Sequence, residues 1–269
     1  MRLINSAASL LFALVIVFAS TAKLGAAEGD NLGSVSANED AASAMRKFAV
    51  APGLKVELFA AEPDIKDIVN FAFDEKGSVL VVETGRRRTS VYDIRGLTKW
   101  LDEDFALRTV EDRIAFLKRH VTPADPEFHA AITQNAKRGG FGDFNKDGVI
   151  DWRDLEVEAE RLRFLKVENG KVVRATTYAD GFNSIVSGVA AGVLARDGKV
   201  WFTCIPDLWQ LQDTDGDDKA DVRTKLQSGF GVHVAYGGHD MHGLITGPDG
   251  RIYWSIADRG TSTNLWCQR

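Results

Sequence analysis

Cysteine is nearly absent from this 269-residue chain, where Cys204 and Cys267 are the only two. That scarcity excludes a Cys-x-x-Cys-His haem attachment site and a zinc ribbon within the chain. In an oxidising compartment the two can pair, and their sequence context leaves the pairing open. Basic residues are also outnumbered, 33 Lys and Arg against 38 Asp and Glu, for a formal charge of −5. An acidic balance argues against a nucleic-acid partner, because such binding rests on neutralising phosphates with Lys and Arg. The one dense basic run, Arg86-Arg87-Arg88, reads as a solvated turn. Beyond the N-terminus no apolar run reaches the roughly 20 residues that a membrane helix needs, so no later span is expected.

What is present begins with an export signal. Arg2, the apolar stretch Leu10 to Ala19 and the small residues Gly25-Ala26-Ala27 before Glu28 form the charged end, apolar core and cleavage site of a secretory signal peptide. The expected mature protein is exported, periplasmic or extracellular. Removing residues 1–27 takes the basic count from 33 to 31 against 38 acidic residues, a charge of −7. Residues 28–44 are mostly Gly, Ser, Ala, Asn, Asp and Glu, and read as a flexible leader that cannot bury enough surface to order itself.

Residues 45–269 read as mainly β. Leu54 to Ala60 alternates apolar and polar residues in strand fashion. One pattern then recurs three times: an apolar segment, an Asp before a Gly, and a run of β-formers. It spans Phe71 to Val82 with Asp74 and Gly77, Val193 to Thr203 with Asp197-Gly198, and Leu244 to Ser255 with Asp249-Gly250. Each is expected to be a hairpin turned tightly at its Gly. A further hairpin is expected at Asn169-Gly170. The spacing of the second and third copies suits propeller blades, which pack radially around a channel. Between the first and second copies, Phe105, Val110, Ile114, Leu117 and Val121 keep helical spacing. One or two insert helices are therefore expected over about residues 98–134, with Thr98 as a cap.

Two acidic loops carry cation chemistry. In residues 143–154, Asp143, Asn145, Asp147, Asp151 and Asp154 fall at positions 1, 3, 5, 9 and 12, with Gly148 at 6 and the Val149 carbonyl at 7. That is how a twelve-residue EF-hand-like loop wraps Ca2+. The flanks do not read as a paired EF-hand, so a single structural site is expected. In residues 213–221, Asp213, Asp215, Asp217 and Asp221 stand at positions 1, 3, 5 and 9, with a carbonyl at Lys219. This second ladder also suits Ca2+, as a hairpin loop clamped by metal.

The segment Gly237 to Gly260 holds His239, His242 and Asp258. Histidine suits proton abstraction at neutral pH, and a carboxylate across a hairpin can orient it. Spacing alone equally allows two structural histidines on a strand end.

At these residues the chain resembles the soluble quinoprotein glucose and sorbosone dehydrogenases. Their six-bladed, TolB-like propellers carry a similar His, a Gly-Pro-Asp hairpin and an aromatic strand ending in Asp. The resemblance implies His239 as catalytic base and Asp258 as its partner, while His242 has no counterpart. Over a wider stretch, the segments Pro52 to Pro63, Ala179 to Asn183, Gly192 to Gly198, Cys204 to Trp209, Asp213 to Asp217 and Gly238 to Gly243 are similar to exported bacterial proteins labelled membrane-bound dehydrogenases. In that group helical repeats and a haem domain often follow the propeller. Together the resemblances imply the N-terminal part of a six-bladed β-propeller, with pyrroloquinoline quinone (PQQ) beside Ca2+. They also imply a sugar or alcohol substrate and a haem-protein electron acceptor. Ala257 stands where those enzymes have Gly. The chain ends at Arg269, before the blades that in those enzymes hold the quinone, so a truncated gene product inactive by itself is expected. The alternative is a non-enzymatic, calcium-stabilised propeller that binds carbohydrate or protein. A calcium-dependent docking module is a third class, resting on the first loop alone.

Overall fold

The computed structural model describes residues 14–18, 39–87, 89–134, 141–235 and 239–262. Strand β1 (Leu14–Phe18), inside the apolar stretch of the expected signal, lies antiparallel to β2 (Lys55–Ala60). Between them, helix α1 (Glu39–Met45) starts within the segment expected to be a flexible leader. Its Ala-rich sequence favours helix, and Ala41 is fully buried, so order begins earlier than composition suggests.

Two four-stranded antiparallel sheets form the body. The first runs β3 (Ile68–Phe73), β4 (Val79–Glu83), β5 (Glu160–Glu168) and β6 (Lys171–Phe182), each pairing with the next. The second repeats that meander with β7 (Gly192–Arg196), β8 (Lys199–Cys204), β9 (Asp207–Gln212) and β10 (Val222–Ser228). A third sheet has two strands, β11 (His242–Thr246) and β12 (Ile252–Ser255). Asn70 in β3 donates to the Ala191 carbonyl just before β7 (3.0 Å), and Ala191 bridges in parallel to His242 of β11. The first strands of the three sheets therefore lie side by side, and no sheet closes on itself among the described residues.

Packing between sheets explains why β4 reads as an unbroken apolar run. Leu80 and Val82 face one cluster with Leu162, Phe182, Phe202 and Leu211, which joins the first sheet to the second. Val79 and Val81 face the opposite cluster with Ala60, Ile65 and Leu165. Each such side chain contributes roughly 1.5–3 kcal/mol by leaving water. Ile205, Leu208, Phe230, Met241 and Leu244 join the second sheet to the third in the same way.

The turns sort into two kinds. Asn169-Gly170 and Asp197-Gly198 are two-residue turns, with φ of 52° and 76°, and 54° and 69°, and they close β5–β6 and β7–β8. The other two Asp–Gly hairpins use five-residue loops instead, because β3 pairs Phe73 with Val79 and β11 pairs Thr246 with Ile252. In the first of these, Asp74 accepts N–H bonds from Lys76 and Ser78, which rounds the longer loop.

The insert between β4 and β5 is more helical than its spacing suggests. It holds α2 (Leu101–Ala106), α3 (Val110–His120) and α4 (Pro126–Gln134), three helices where one or two are expected. Thr98 lies inside a short 3-10 turn and caps nothing. Thr109 caps α3 instead, in a reciprocal box with Asp112. Tyr92, Trp100, Phe116, Phe128 and Leu155 of the insert form one core with Ile185, Val234 and Ala235 from beyond it. No helix among the described residues is long and apolar enough to cross a membrane.

Candidate functional site

The geometry of His239 and Asp258 follows from the β11–β12 register. His242 pairs with Ser255. In an antiparallel pair, three residues outward on each strand remain opposite, which sets 239 across from 258. There the two side chains meet, His239 Nδ1 to Asp258 Oδ1 at 2.9 Å, with the imidazole 51% and the carboxylate 49% exposed. The neighbouring residues point inward, where Asp240 and Arg259 form a buried ion pair. Gly188 lies against that pair so closely that a Cβ there would come within 2.2 Å of Asp240 Oδ1. A buried pair beneath an exposed one fixes the height of the hairpin end. His242 sits apart, exposed, with Ser255 Oγ 3.4 Å from its Nδ1.

The insert holds the approach to this site. Asp104, buried in α2, binds Arg113 of α3 and accepts the Val234 N–H (2.6 Å), while the Ile94 N–H donates to the Ala235 carbonyl (2.9 Å). Asp93 is close enough to feel the His239 charge. Its carboxyl is held below the ordinary range first by its hydrogen bond with Arg95 and, more weakly, by His239.

Asp143, Asn145 and Asp147 of the first acidic loop knit together through backbone amides. Asp143 accepts from the Asp147 and Gly148 N–H groups, Asn145 from Asp147, and Asp147 from Val149. Asp154, 1% exposed, turns inward to the N–H groups of Phe144, Asn145 and Asp151. Asp151 caps the following 3-10 turn and pairs with Arg153, whose hydrogen bond holds its carboxyl low. The closing acids are thus engaged by protein donors.

The second loop connects β9 to β10, with Gln212 opposite Val222. Here Asp213, Asp215 and Asp221 bring carboxylate oxygens within 4.8 Å of one another, the one such acidic trio among the described residues. Asp217 stands outside the trio with Lys219 Nζ 3.7 Å away, and Asp218 pairs with Arg174.

The basic triplet departs from expectation. Arg86 is not solvated: it is 0% exposed and donates to the carbonyls of Ser187, Leu155, Glu158 and Ser184. Its backbone N–H donates to Glu160, which also accepts from Thr84 Oγ1 and the Ala190 N–H. Burial pushes the Glu160 carboxyl up to about 7 against those hydrogen bonds. The only hint in the sequence is the position of Arg86, just past a strand that is apolar on both faces and must enter the interior. Arg87 is exposed, and Arg88 lies outside the described residues. Cys204 is buried, and burial pushes its thiol up, while Cys267 lies outside the described residues, as does any pairing with it.

A family model described as "Domain of unknown function (DUF7133)" matches residues 40–118 and 158–268, well over half of the chain. No curated protein matches, and no solved structure matches. The unmatched residues between those two spans contain the end of α3, α4 and the first acidic loop.

Proposed function

The chain belongs to the family described as domain of unknown function DUF7133, and on that premise we propose that it is part of an exported, calcium-stabilised β-propeller. In this reading, His239 takes a proton from a sugar or alcohol hydroxyl. The propeller reading is supported by two four-stranded meanders, and the start of a third sheet, whose first strands lie side by side. Export rests on the N-terminal pattern of Arg2, the apolar core and Ala27. Cleavage there would remove β1 and leave an edge of β2 open.

The observation that carries the catalytic reading is the 2.9 Å contact between His239 Nδ1 and Asp258 Oδ1 at a half-exposed hairpin end. With Nδ1–H donated to Asp258, the neutral ring keeps its lone pair on Nε2. A substrate hydroxyl then gives its proton to Nε2, and Asp258 stabilises the imidazolium that forms. Calcium fits the second loop, because three carboxylates converge there and a hard cation takes six to eight oxygen ligands.

The quinone that the resemblance implies does not fit the described residues. A polyanionic cofactor needs several cations that face one site, yet Arg259 is buried against Asp240, and Arg95, though exposed, is already paired with Asp93. No step is routed through it. Oxidation of the alcohol also requires a two-electron acceptor for the C–H hydride, which under the resemblance is the quinone, reoxidised by a separate haem protein; the described residues supply neither, so their part ends at the proton transfer.

The test is turnover of the purified chain on a panel of sugars and alcohols with an artificial electron acceptor, in Ca2+ with and without added PQQ. Turnover that falls about 100-fold or more in His239→Ala, and less in Asp258→Asn, supports the reading. A His239→Ala variant as fast as the parent sinks it, and absence of turnover under every condition leaves only the expectation of a chain inactive by itself. Export is checked by N-terminal sequencing of the secreted protein, which should begin at Glu28.

A further inference from the structure

The sheets β3–β6, β7–β10 and β11–β12 pack through two joints, and the first strand of each shows what lies on its two faces. Successive side chains of a strand point to opposite faces. In β7 both faces are covered: Val193, 4% exposed, packs toward the first sheet, and Leu194 packs toward the third. In β11 Leu244 packs toward the second sheet, but the next residue, Ile245, is 62% exposed, and Tyr253 opposite it on β12 is 49% exposed. In β3 Ala72 packs toward the second sheet, but Phe71 and Phe73, edge to face at 5.8 Å, are 39% and 49% exposed.

These two bare faces stand at opposite ends of the stack. Phe71 and Phe73 pair with Val81 and Val79, so they share the face on which Ala60 and Ile65 cover β4 and β5; that cover stops short of β3. Large apolar side chains grouped at an uncovered face mark a contact surface. Each end is also one half of the joint made twice inside the chain. The first sheet lacks a neighbour on the side where the second sheet has the first, and the third lacks one on the side where the second has the third.

We propose that two copies of this chain close into one ring of six sheets, the Ile245 and Tyr253 face of each packing on the Phe71 and Phe73 face of the other. The inference rests on the propeller reading and makes no use of His239. The occupant is a second copy because this chain carries both halves of the missing joint. A propeller takes about four to eight sheets; the stack supplies three among the described residues, and two stacks supply six. The contact runs head to tail, yet the second joint closes it under a two-fold axis, so growth stops at two. Once the first joint has formed the second is intramolecular, which tightens the pair.

Light scattering and sedimentation of the purified mature chain should give twice the chain mass, with a dimer Kd of about 10 μM or tighter. Ile245→Asp and Phe71→Asp each place a charge in the joint between copies and leave the joints within the chain alone. Each should weaken the dimer about 100-fold or more with unchanged circular dichroism, and Phe73→Asp replaces Phe71→Asp if that variant misfolds. An equimolar mix of the two variants should associate more tightly than either alone, because one of its two joints has both faces intact. A dimer that only one of the two variants weakens, the mark of a face packing on its own copy, overturns the proposal, as does a mass that keeps growing with concentration. A monomer at about 100 μM overturns the second copy and leaves the propeller reading standing, with further sheets of a longer chain as the cover. An elongated dimer in small-angle scattering, in place of a compact one, overturns the ring and the propeller reading with it.

Discussion

The two acidic loops reach nearly the same backbone from different sequences and are held by different means. Counting each from its first Asp, the residue at position 4 has positive φ in both, Lys146 at 61° and Gly216 at 83°, as does the residue at position 6, Gly148 at 87° and Asp218 at 66°. In both, position 3 accepts the N–H of position 5, and position 5 accepts that of position 7. Glycine therefore serves at either left-handed position. The other goes to Asp218, whose short side chain tolerates that region, or to Lys146, at a cost of roughly 1–2 kcal/mol. Closure is where they part. The amide of position 2 goes to Asp154 at position 12 in the first loop, and to Asp221 at position 9 in the second. Asp154 is buried, whereas Asp215 and Asp221 are exposed. Both loops are thus held by protein donors, but the first buries its closing acid, whereas the second also brings Asp213, Asp215 and Asp221 together. The family match covers only the second, so the first loop sits in the unmatched part of the chain.

That contrast predicts a ranking. Arg86→Ala comes first, because it strips four carbonyls of a buried donor, two of which, Leu155 and Glu158, belong to the exit of the first loop. A loss of about 3–5 kcal/mol is expected in urea melts. A change below 1 kcal/mol would show that this exit is held by something else.

Calcium removal is next, and it should act on the second loop. With free Ca2+ a hundredfold above Kd, the gain is about 2.7 kcal/mol, visible as a melting temperature that falls on chelation. Asp213→Ala should erase that gain. If Asp143→Ala erases it and Asp213→Ala does not, the roles of the loops are reversed. Asp154→Ala should cost about 2–3 kcal/mol even in chelator, since three amides lose their acceptor. Asp221→Ala should cost far less without the metal.

Glu160 gives a smaller, graded effect. Its folded pKa of about 7 lies above the ordinary 4.5, so the folded state binds its proton more tightly. Its stabilisation is full below about pH 4.5 and is lost as pH rises through about 7, with a slope of up to about 1.4 kcal/mol per pH unit. Glu160→Gln should flatten that slope, and an unchanged slope would assign it to another group. The smallest effect is expected from Arg174→Ala at the second loop. Its pair with Asp218 is half exposed at the arginine, and exposed pairs contribute about 0–1 kcal/mol.

Local chemistry explains how much of this was legible from residues alone. The strand character of Lys55–Ala60, the turns at Asn169-Gly170 and Asp197-Gly198, the presence of helix between the first and second hairpins, and the loop joining β9 to β10 all follow from periodicity and turn residues. Three features escaped. Thr109, not Thr98, caps α3, because capping depends on which N–H groups end up without partners. The helix at Glu39–Met45 was hidden by a polar composition that resembles a linker. Arg86 looked like one of three surface arginines, and nothing local marks the one that turns inward.

The sequence by itself determined the elements and the pairing of neighbours along the chain, including the hairpin that carries His239 and Asp258, since these depend on contacts a few residues apart. Only the tertiary structure decided that the first strands of three sheets adjoin and that Arg86 meets carbonyls some 70 to 100 residues away. Those outcomes depend on which buried polar groups find partners once the sheets have packed, and a buried charge is satisfied by geometry that no run of adjacent residues encodes.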